Sequence, residues 1–265
     1  MASPEPLIVT TSQDPSAAVY QRAQSLAINL GAVLADRDGS SLAALCNNFQ
    51  VEQILVVSAN KLIVHTPLGE YFFHLSMADL RIKNIIAGKD DHMANAMELH
   101  AGMSVLDCTL GLATDAIVAS YIVGSGGRIT GLENSRLLAL IARLGLKEFC
   151  TSNNEITAAL RRINVIETDA AAYLNDLPAK SYDIVYFDPM FRRPVYASSN
   201  VKPMRCLADS RPVTTSVISE ALRVARQRIV LKEARGSAEF SRLGFTKFVG
   251  GKHSSIQFGV MEVER

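Results

Sequence analysis

Val105-Leu106-Asp107-Cys108-Thr109-Leu110-Gly111-Leu112-Ala113-Thr114-Asp115 runs from an apolar strand through a turn of small residues into the helical stretch Ala116–Val123. Asp107 ends the strand, and Gly111 lets the backbone turn where a side chain would block a ligand. Asp115 falls in the first helical turn, where an acid favours the positive end of the helix dipole and can equally face a cationic ligand. The stretch reads as the floor of a small-molecule site at the carboxyl end of a parallel strand.

Floors that hold a dinucleotide need a second and a third glycine so that a pyrophosphate can approach the backbone. Leu112 and Ala113 stand there instead, and two carboxylates flank the turn. That setting is poor for a polyanion and acceptable for a positively charged ligand. S-adenosylmethionine, with its sulfonium and ammonium groups, is such a ligand. A nucleotide-phosphate binder is the competing reading, since a lone glycine turn after a strand has little specificity.

Working outward from residue 103, strands and helices alternate. Met103–Asp107, Arg128–Glu133, Asn164–Asp169, Tyr182–Asp188 and Arg228–Lys232 read as strands, separated by helical stretches such as Arg136–Leu146 and Val213–Ala225. This alternation predicts an α/β fold with a doubly wound parallel sheet. Phe245–Val249 and Ser255–Val263, joined by Gly250-Gly251-Lys252-His253, read as a closing antiparallel hairpin. Upstream, Leu7–Thr10 reads as an edge strand, Ala17 to Ala27 as a helix, and Gln53–Val57, Lys61–His65 and Glu70–His74 as a small antiparallel meander. Arg81-Ile82-Lys83 and Gly88-Lys89-Asp90-Asp91-His92 read as a mixed-charge connector. The expected division is a small N-terminal α+β lobe with connector over residues 1–92 and the main domain over 93–265.

The totals bound the partners. A chain of 265 residues with 48% hydrophobic content can fill a proper core. The start, Met1-Ala2-Ser3-Pro4-Glu5-Pro6, lacks the features of a secretion signal, and no apolar run approaches membrane-spanning length, so the expectation is a cytoplasmic protein with no membrane partner. Cys46, Cys108, Cys150 and Cys206 have no paired spacing suited to zinc or a dithiol, and no metal is expected. A net charge of +1 gives no global basic field, so contact with RNA would need a local patch.

Ligands of an open parallel sheet lie outside the carboxyl ends of its strands, and four strands here end in acids: Asp107, Glu133, Asp169 and Asp188. Glu133, followed by Asn134, stands at the interval after Asp107 where an acid meets ribose hydroxyls; it can equally serve as a helix-start acid. Asp169 can cap the helix Ala170–Leu174 or accept an adenine amino group while Ala170 supplies a backbone donor. The sharpest signal is Tyr182-Asp183-Ile184-Val185-Tyr186-Phe187-Asp188-Pro189-Met190-Phe191. An exocyclic amine has its lone pair spread into the ring, so an enzyme must hold its N–H groups with acceptors and pin the ring flat. The Asp188 carboxylate and Pro189 carbonyl would be the acceptors and Phe191 the stacking face. The bland alternative is a proline-terminated strand with an aromatic plug. No cysteine follows Asp188-Pro189 as a covalent mechanism would want, so catalysis would rest on positioning and electrostatics.

At these residues the chain resembles the bacterial RsmJ-type methyltransferases, which modify the exocyclic N2 of a guanine in small-subunit ribosomal RNA. Residues 105–115 are similar to that family's floor, and Val185-Tyr186-Phe187-Asp188-Pro189-Met190-Phe191 to its Asp-Pro-Met-Phe site; Lys202-Pro203-Met204-Arg205 and Gly251-Lys252-His253 are weaker likenesses. The resemblance spans roughly residues 70 to 262. It implies a mostly parallel seven-stranded methyltransferase sheet with a C-terminal antiparallel hairpin, S-adenosylmethionine as cofactor and ribosomal RNA as partner. The expected cofactor residues are Asp107, Thr109, Gly111, Leu112, Ala113, Thr114, Asp115, Glu133, Asn134, Asp169 and Ala170, and the reaction pocket Asp188, Pro189, Met190 and Phe191. The expected substrate contacts are Arg192, Arg193, Lys202, Arg205, Lys252 and His253, with Lys232 and Arg235 as further basic candidates. The chain departs from the family in a less basic connector, Met77-Ala78-Asp79-Leu80-Arg81-Ile82-Lys83, and in Arg192-Arg193-Pro194 after Phe191. The alternatives are a methyltransferase for adenine N6 or a protein glutamine, and a module that grips RNA or a nucleoside without catalysis. An NAD oxidoreductase is disfavoured by the missing glycines.

Overall fold

A computed structural model describes residues 7–75, 77–190 and 201–264. They form two compact units, one of residues 7–73 with 201–207 and the other of the remaining described residues from 74 onward. The smaller unit contains β1 (Ile8–Thr11), α1 (Ala17–Leu30), β2 (Val33–Leu34), α2 (Leu42–Phe49), β3 (Ile54–Val57), β4 (Leu62–Thr66) and β5 (Gly69–Tyr71). Its sheet has the order β2-β1-β3-β4-β5. The meander β3-β4-β5 is antiparallel as expected. The expected edge strand is not at an edge: β1 lies between β2 and β3, parallel to both, and all four of its residues are buried. Parallel neighbours require crossovers, and α1 and α2 supply them.

The larger unit opens with α3 (Met77–Ile86) and α4 (His92–Met97), so most of the mixed-charge connector is helical. Then come β6 (Ser104–Asp107), α5 (Thr114–Val123), β7 (Arg128–Glu133), α6 (Arg136–Glu148), α7 (Asn154–Arg161), β8 (Ile163–Glu167), α8 (Ala170–Asp176) and β9 (Tyr182–Phe187). The short α9 (Val201–Arg205) belongs to the smaller unit. The chain continues as α10 (Thr215–Val224), β10 (Ala225–Ala234), α11 (Ala238–Leu243), β11 (Lys247–Val249) and β12 (Ile256–Glu262).

The seven strands of this unit are ordered β11-β12-β10-β9-β6-β7-β8. Every neighbouring pair is parallel except those made by β12, which runs antiparallel to β10 and β11. The doubly wound sheet and the closing hairpin are thus both present. The central strands are near-continuous apolar runs because helices cover both faces, and Leu106, Ile184 and Val185 are fully buried. Side chains start the flanking helices: Ser135 accepts from Leu138 N, Asn153 from Glu155 N and Ile156 N, and Thr214 from Val217 N. Helix α5 is buried on almost every side, in keeping with a sequence that has no polar face.

The chain leaves β6 for β7 and β8 on one side, then returns to β9 and β10 on the other. The order therefore reverses between β6 and β9, and a crevice opens there at the strands' carboxyl ends. Asp107 pairs with Tyr186 in register, which sets the end of β6 beside the Asp188 turn. Among the described residues no helix is long and apolar enough to cross a membrane.

Candidate active site

The floor turn is built by three local bonds. Asp107 Oδ1 accepts from Thr109 N at 3.0 Å, Leu110 N donates to Leu132 O at 2.9 Å, and Thr109 Oγ1 accepts from Asp188 N at 2.6 Å. Gly111 and Ala113 both have positive φ, 51° and 63°. For Gly111 this conformation is free of Cβ strain, while Ala113 is pinned by burial at the start of α5. Leu110 folds across β7 because position 131 is glycine: a Cβ there would come within 2.3 Å of Leu110 Cδ1.

Glu133 is buried at the end of β7 and uses both oxygens on backbone, accepting from Gly111 N at 3.0 Å and from Ser135 N at 2.8 Å. The helix-start position is observed, and the same carboxylate also ties the glycine turn in place. Burial pushes its carboxyl above the ordinary value, against the pull of those backbone N–H groups. Asp169 caps α8 by accepting from Ala172 N at 3.1 Å, and its second oxygen meets Arg211 Nη2 at 2.6 Å. Arg211 also grips Asp209, which accepts from Asn134 Nδ2 at 3.2 Å. The rim beyond β7 and β8 is therefore a chain of polar groups, Asn134-Asp209-Arg211-Asp169, of which the sequence reading picked out only the two at strand ends.

Asp115 is turned into a buried charge network. Its Oδ1 pairs with Arg81, and its Oδ2 accepts from Tyr186 Oη at 2.6 Å and from Lys232 Nζ at 2.9 Å. Burial opposes its ionisation, yet Lys232, Arg81 and Tyr186 hold the carboxyl well below the usual range. The cation sought for Asp115 is thus supplied from within the chain. Arg81 also pairs with Asp91, which in turn caps α4 by accepting from Ala94 N at 3.0 Å.

Lys232 reaches from β10 to a second carboxylate, its Nζ lying 2.7 Å from Asp188 Oδ2. Asp188 is half-buried; burial and the neighbouring Asp115 raise its carboxyl to about 6, with Lys232 pulling the other way. Among the described residues Asp107 has no cation in contact, and burial with the negative Asp115 and Asp188 pushes it up to about 8 despite the Thr109 N–H. Three aspartates converge on one switch point, Asp115 held below the usual carboxylate range, Asp188 raised to about 6 and Asp107 to about 8. Among the described residues no group of three or more His, Cys, Asp or Glu is arranged to hold a metal ion.

Pro189 and Met190 line a cleft with Ser210, Arg211, Leu231 and Glu233. Phe191, Arg192 and Arg193 lie outside the described residues. Lys252 and His253 are exposed on the loop between β11 and β12. The pairing of Ala234 with Ile256 places that loop at the carboxyl rim of β10. Lys202 and Arg205 sit on α9 in the smaller unit, apart from the unit that carries the carboxylates. Lys232, weighed as a substrate contact, instead serves the site from within. A single charge in Ile229-Val230-Leu231-Lys232 was the available signal, because a lysine in a buried strand needs a carboxylate. Arg81 and Tyr186 gave no comparable sign.

With this geometry in view, the relatives decide the family. Residues 43–253 match the family model described as "Putative SAM-dependent methyltransferase". The chain belongs to this family. S-adenosylmethionine is its cofactor, and the methyltransferase is 36% identical over 256 residues to the Bacillus subtilis (strain 168) protein YpiP, covering 96% of this chain and 99% of that one. It is 28% identical over 199 residues to the Ribosomal RNA small subunit methyltransferase J of Halorhodospira halophila (strain DSM 244 / SL1), covering 71% of this chain and 72% of the other. The protein of that name from Coxiella burnetii (strain RSA 331 / Henzerling II) is 28% identical over 145 residues, 54% of each chain. A solved SAM-dependent methyltransferase of Neisseria gonorrhoeae shares the fold, with a TM-score of 0.63 at 17% identity over 97% of this chain and 96% of that one.

The residues present fit such a cofactor. A cationic sulfonium suits a crevice bordered by Asp107 and Asp188, neither neutralised by a full set of partners. Gly111 and Glu133 are tied together at the end of β7, where a nucleoside would lie in the switch-point crevice.

Proposed function

We propose that this methyltransferase acts on the exocyclic N2 of a guanine in small-subunit ribosomal RNA. The observation that carries the reading is the Asp188-Pro189 turn. It stands at the switch point beside Asp107, with Asp188 anchored through one oxygen by Lys232 while Oδ1 takes no bond from any described residue. Relatives named for ribosomal RNA small subunit methylation support the choice of substrate.

Bound S-adenosylmethionine supplies an electrophilic methyl group on sulfur. In this reading Glu133 would hold the ribose hydroxyls, Asp169 and Ala170 would hold the adenine, and Asp107 would balance the cofactor's positive charge. Asp188 and the Pro189 carbonyl accept the two N–H groups of the target amine and orient its lone pair toward the methyl carbon, with Met190 and Phe191 packing on the base. As the N–C bond forms, the C–S bond breaks and the amine sheds a proton to water. The enzyme's contribution is alignment and electrostatics. Lys252 and His253 on the same rim, with Lys202, Arg205, Arg192 and Arg193, are assigned to the RNA backbone, which positions rather than specifies.

The test is transfer of radiolabelled methyl to separated small-subunit particles, naked ribosomal RNA, DNA and protein, followed by nucleoside digestion. Label in N2-methylguanosine, abolished by Asp188→Ala while cofactor binding persists, is the expected result. Label in N6-methyladenosine or in glutamine overturns the substrate assignment, and binding of RNA with no transfer at all overturns the catalytic one.

A further inference from the structure

Lys232 is mostly withdrawn from solvent, and among the described residues it is the one cation in contact with the acceptor carboxylate. Strand β10 runs beside β9 with Leu231 opposite Phe187, so Lys232 is the next residue along, level with Asp188. Its neighbours Leu231 and Glu233 line the cleft on the other face of the sheet. Nζ binds Asp188 Oδ2 at 2.7 Å and Asp115 Oδ2 at 2.9 Å, so the lysine bridges two carboxylates. Asp115 is itself fixed by Arg81 and by Tyr186 Oη, and Arg81 by Asp91. The lysine is thereby held in one place by groups on α3, α5 and β9.

We propose that Lys232 is the positioning residue that keeps Asp188 a charged acceptor in a single orientation, with Oδ1 left for the substrate amine. The inference rests on the reading of Asp188 as the amine acceptor. Among the described residues, the other groups facing this carboxylate work against its charge or are neutral. Asp107 comes from the end of β6 and Asp115 from α5, both carboxylates; Thr109 offers its hydroxyl to Asp188 N; the Tyr186 phenol is committed to Asp115; and the β12 residue paired with Lys232 is Phe258. Without the ammonium, two acids and partial burial would favour a protonated Asp188. A protonated carboxyl presents an O–H to an amine whose own N–H groups need acceptors. Lys232 is not the base of the reaction, since two carboxylates in contact keep it protonated.

The experiment compares the native chain with Lys232→Met and Lys232→Arg, each saturated with S-adenosylmethionine. Methyl transfer is followed as kcat and KM from pH 5 to 9, and Asp188 ionisation by carboxyl carbon NMR, assigned through Asp188→Asn. The native acid limb is expected near 6. In Lys232→Met it should move up by about 1 to 2 pH units. At pH 6.5 kcat then falls by about 3- to 25-fold, recovering by pH 9 to within a few-fold of native, with KM for cofactor little changed. Lys232→Arg should keep the native limb. The Asp188 resonance should titrate with the same displacement. A loss in Lys232→Met that is the same at every pH, with the Asp188 titration unmoved, overturns the proposal. If Lys232→Met does not fold, acetyl-lysine at 232 removes the charge while keeping the stem, and the same outcomes apply. A native chain that transfers no methyl to any base defeats the reading of Asp188 as acceptor, whereas the NMR titration still decides whether Lys232 sets its charge.

Discussion

Asp107→Asn should separate the charge of the floor acid from its shape. The substitution keeps Oδ1 as acceptor for Thr109 N, which lies 3.0 Å away, and removes only the ionisation. In the folded chain burial, Asp115 and Asp188 raise this carboxyl to about 8 from an ordinary 3.8. For an acid displaced in this direction the native state binds the proton more tightly than the unfolded chain does. Its contribution to stability is greatest below about pH 4, declines as pH rises, and levels off above about pH 8. The interval is about four pH units at about 1.4 kcal/mol each, which sets a ceiling of about 6 kcal/mol on the loss between acid and alkaline conditions. Groups remote from this cluster titrate alike in both proteins, so the difference in urea unfolding free energy between variant and native reports Asp107 and the carboxylates coupled to it. It should rise steadily in the variant's favour from pH 5 to 8, by at least about 2 kcal/mol.

The same proton reports on the cofactor. A sulfonium beside Asp107 favours the carboxylate, so binding to the native chain should expel a proton at pH 7, and affinity should strengthen from pH 6 to 8 by up to about tenfold per pH unit. Calorimetry in phosphate and in Tris, whose ionisation heats differ, counts the protons. The native-minus-variant difference should approach one. An unfolding difference that stays flat from pH 5 to 8, together with equal proton counts in the two proteins, would refute the assignment of a protonated Asp107 facing the cofactor.

Two further substitutions test the supports. Glu133→Gln leaves one oxygen for two backbone donors, so either Gly111 N or Ser135 N loses its partner; the unfolding free energy should drop by about 1–3 kcal/mol and the cofactor dissociation constant should rise at least about tenfold by calorimetry. Arg81→Met removes one of the cations on buried Asp115 and the cation on Asp91, and urea unfolding at pH 7 should show a loss of about 3 kcal/mol. Both acids are held below their ordinary values in the native chain, so that stabilisation is full above about pH 4 and shrinks as pH falls; the gap between variant and native should narrow steadily below about pH 4.

How much of this could be read beforehand follows from which interactions are local. Strands β6 to β10 were legible because a fully covered parallel sheet writes itself as short apolar runs ended by acids. The closing hairpin was legible from two β-rich runs flanking Gly250-Gly251. The place of β1 was not, because Ile8-Val9-Thr10-Thr11 reads the same at an edge as in the interior, and only its pairing with both β2 and β3 decides. The helix α3 was passed over as a connector because its charges dominate the eye. Arg81 is one of those charges, and the structure gives it two partners at sequence separations of 10 and 34. A residue whose partners lie that far along the chain leaves no periodicity by which to recognise it.

The candidate site shows the same division more sharply. Asp107, Asp115 and Asp188 are one letter in the sequence; strand-end position marked Asp107 and Asp188 as ligand-facing, and the first turn of the following helix marked Asp115. Their surroundings make them three different groups: Asp115 neutralised by Arg81 and Lys232, Asp188 sharing one of those cations, and Asp107 left with none. Two internal cations serve three converging carboxylates, with Arg81 further divided with Asp91. Among the described residues the cluster is therefore one positive charge short when all three are ionised, and the raised carboxyl of Asp107 answers that shortage. That shortage selects a sulfonium over a phosphate without any single contact doing so. It also explains why a floor turn stripped of the glycines that admit a pyrophosphate could keep the glycine at 111: the backbone still has to bend there, but what must approach it carries the opposite charge.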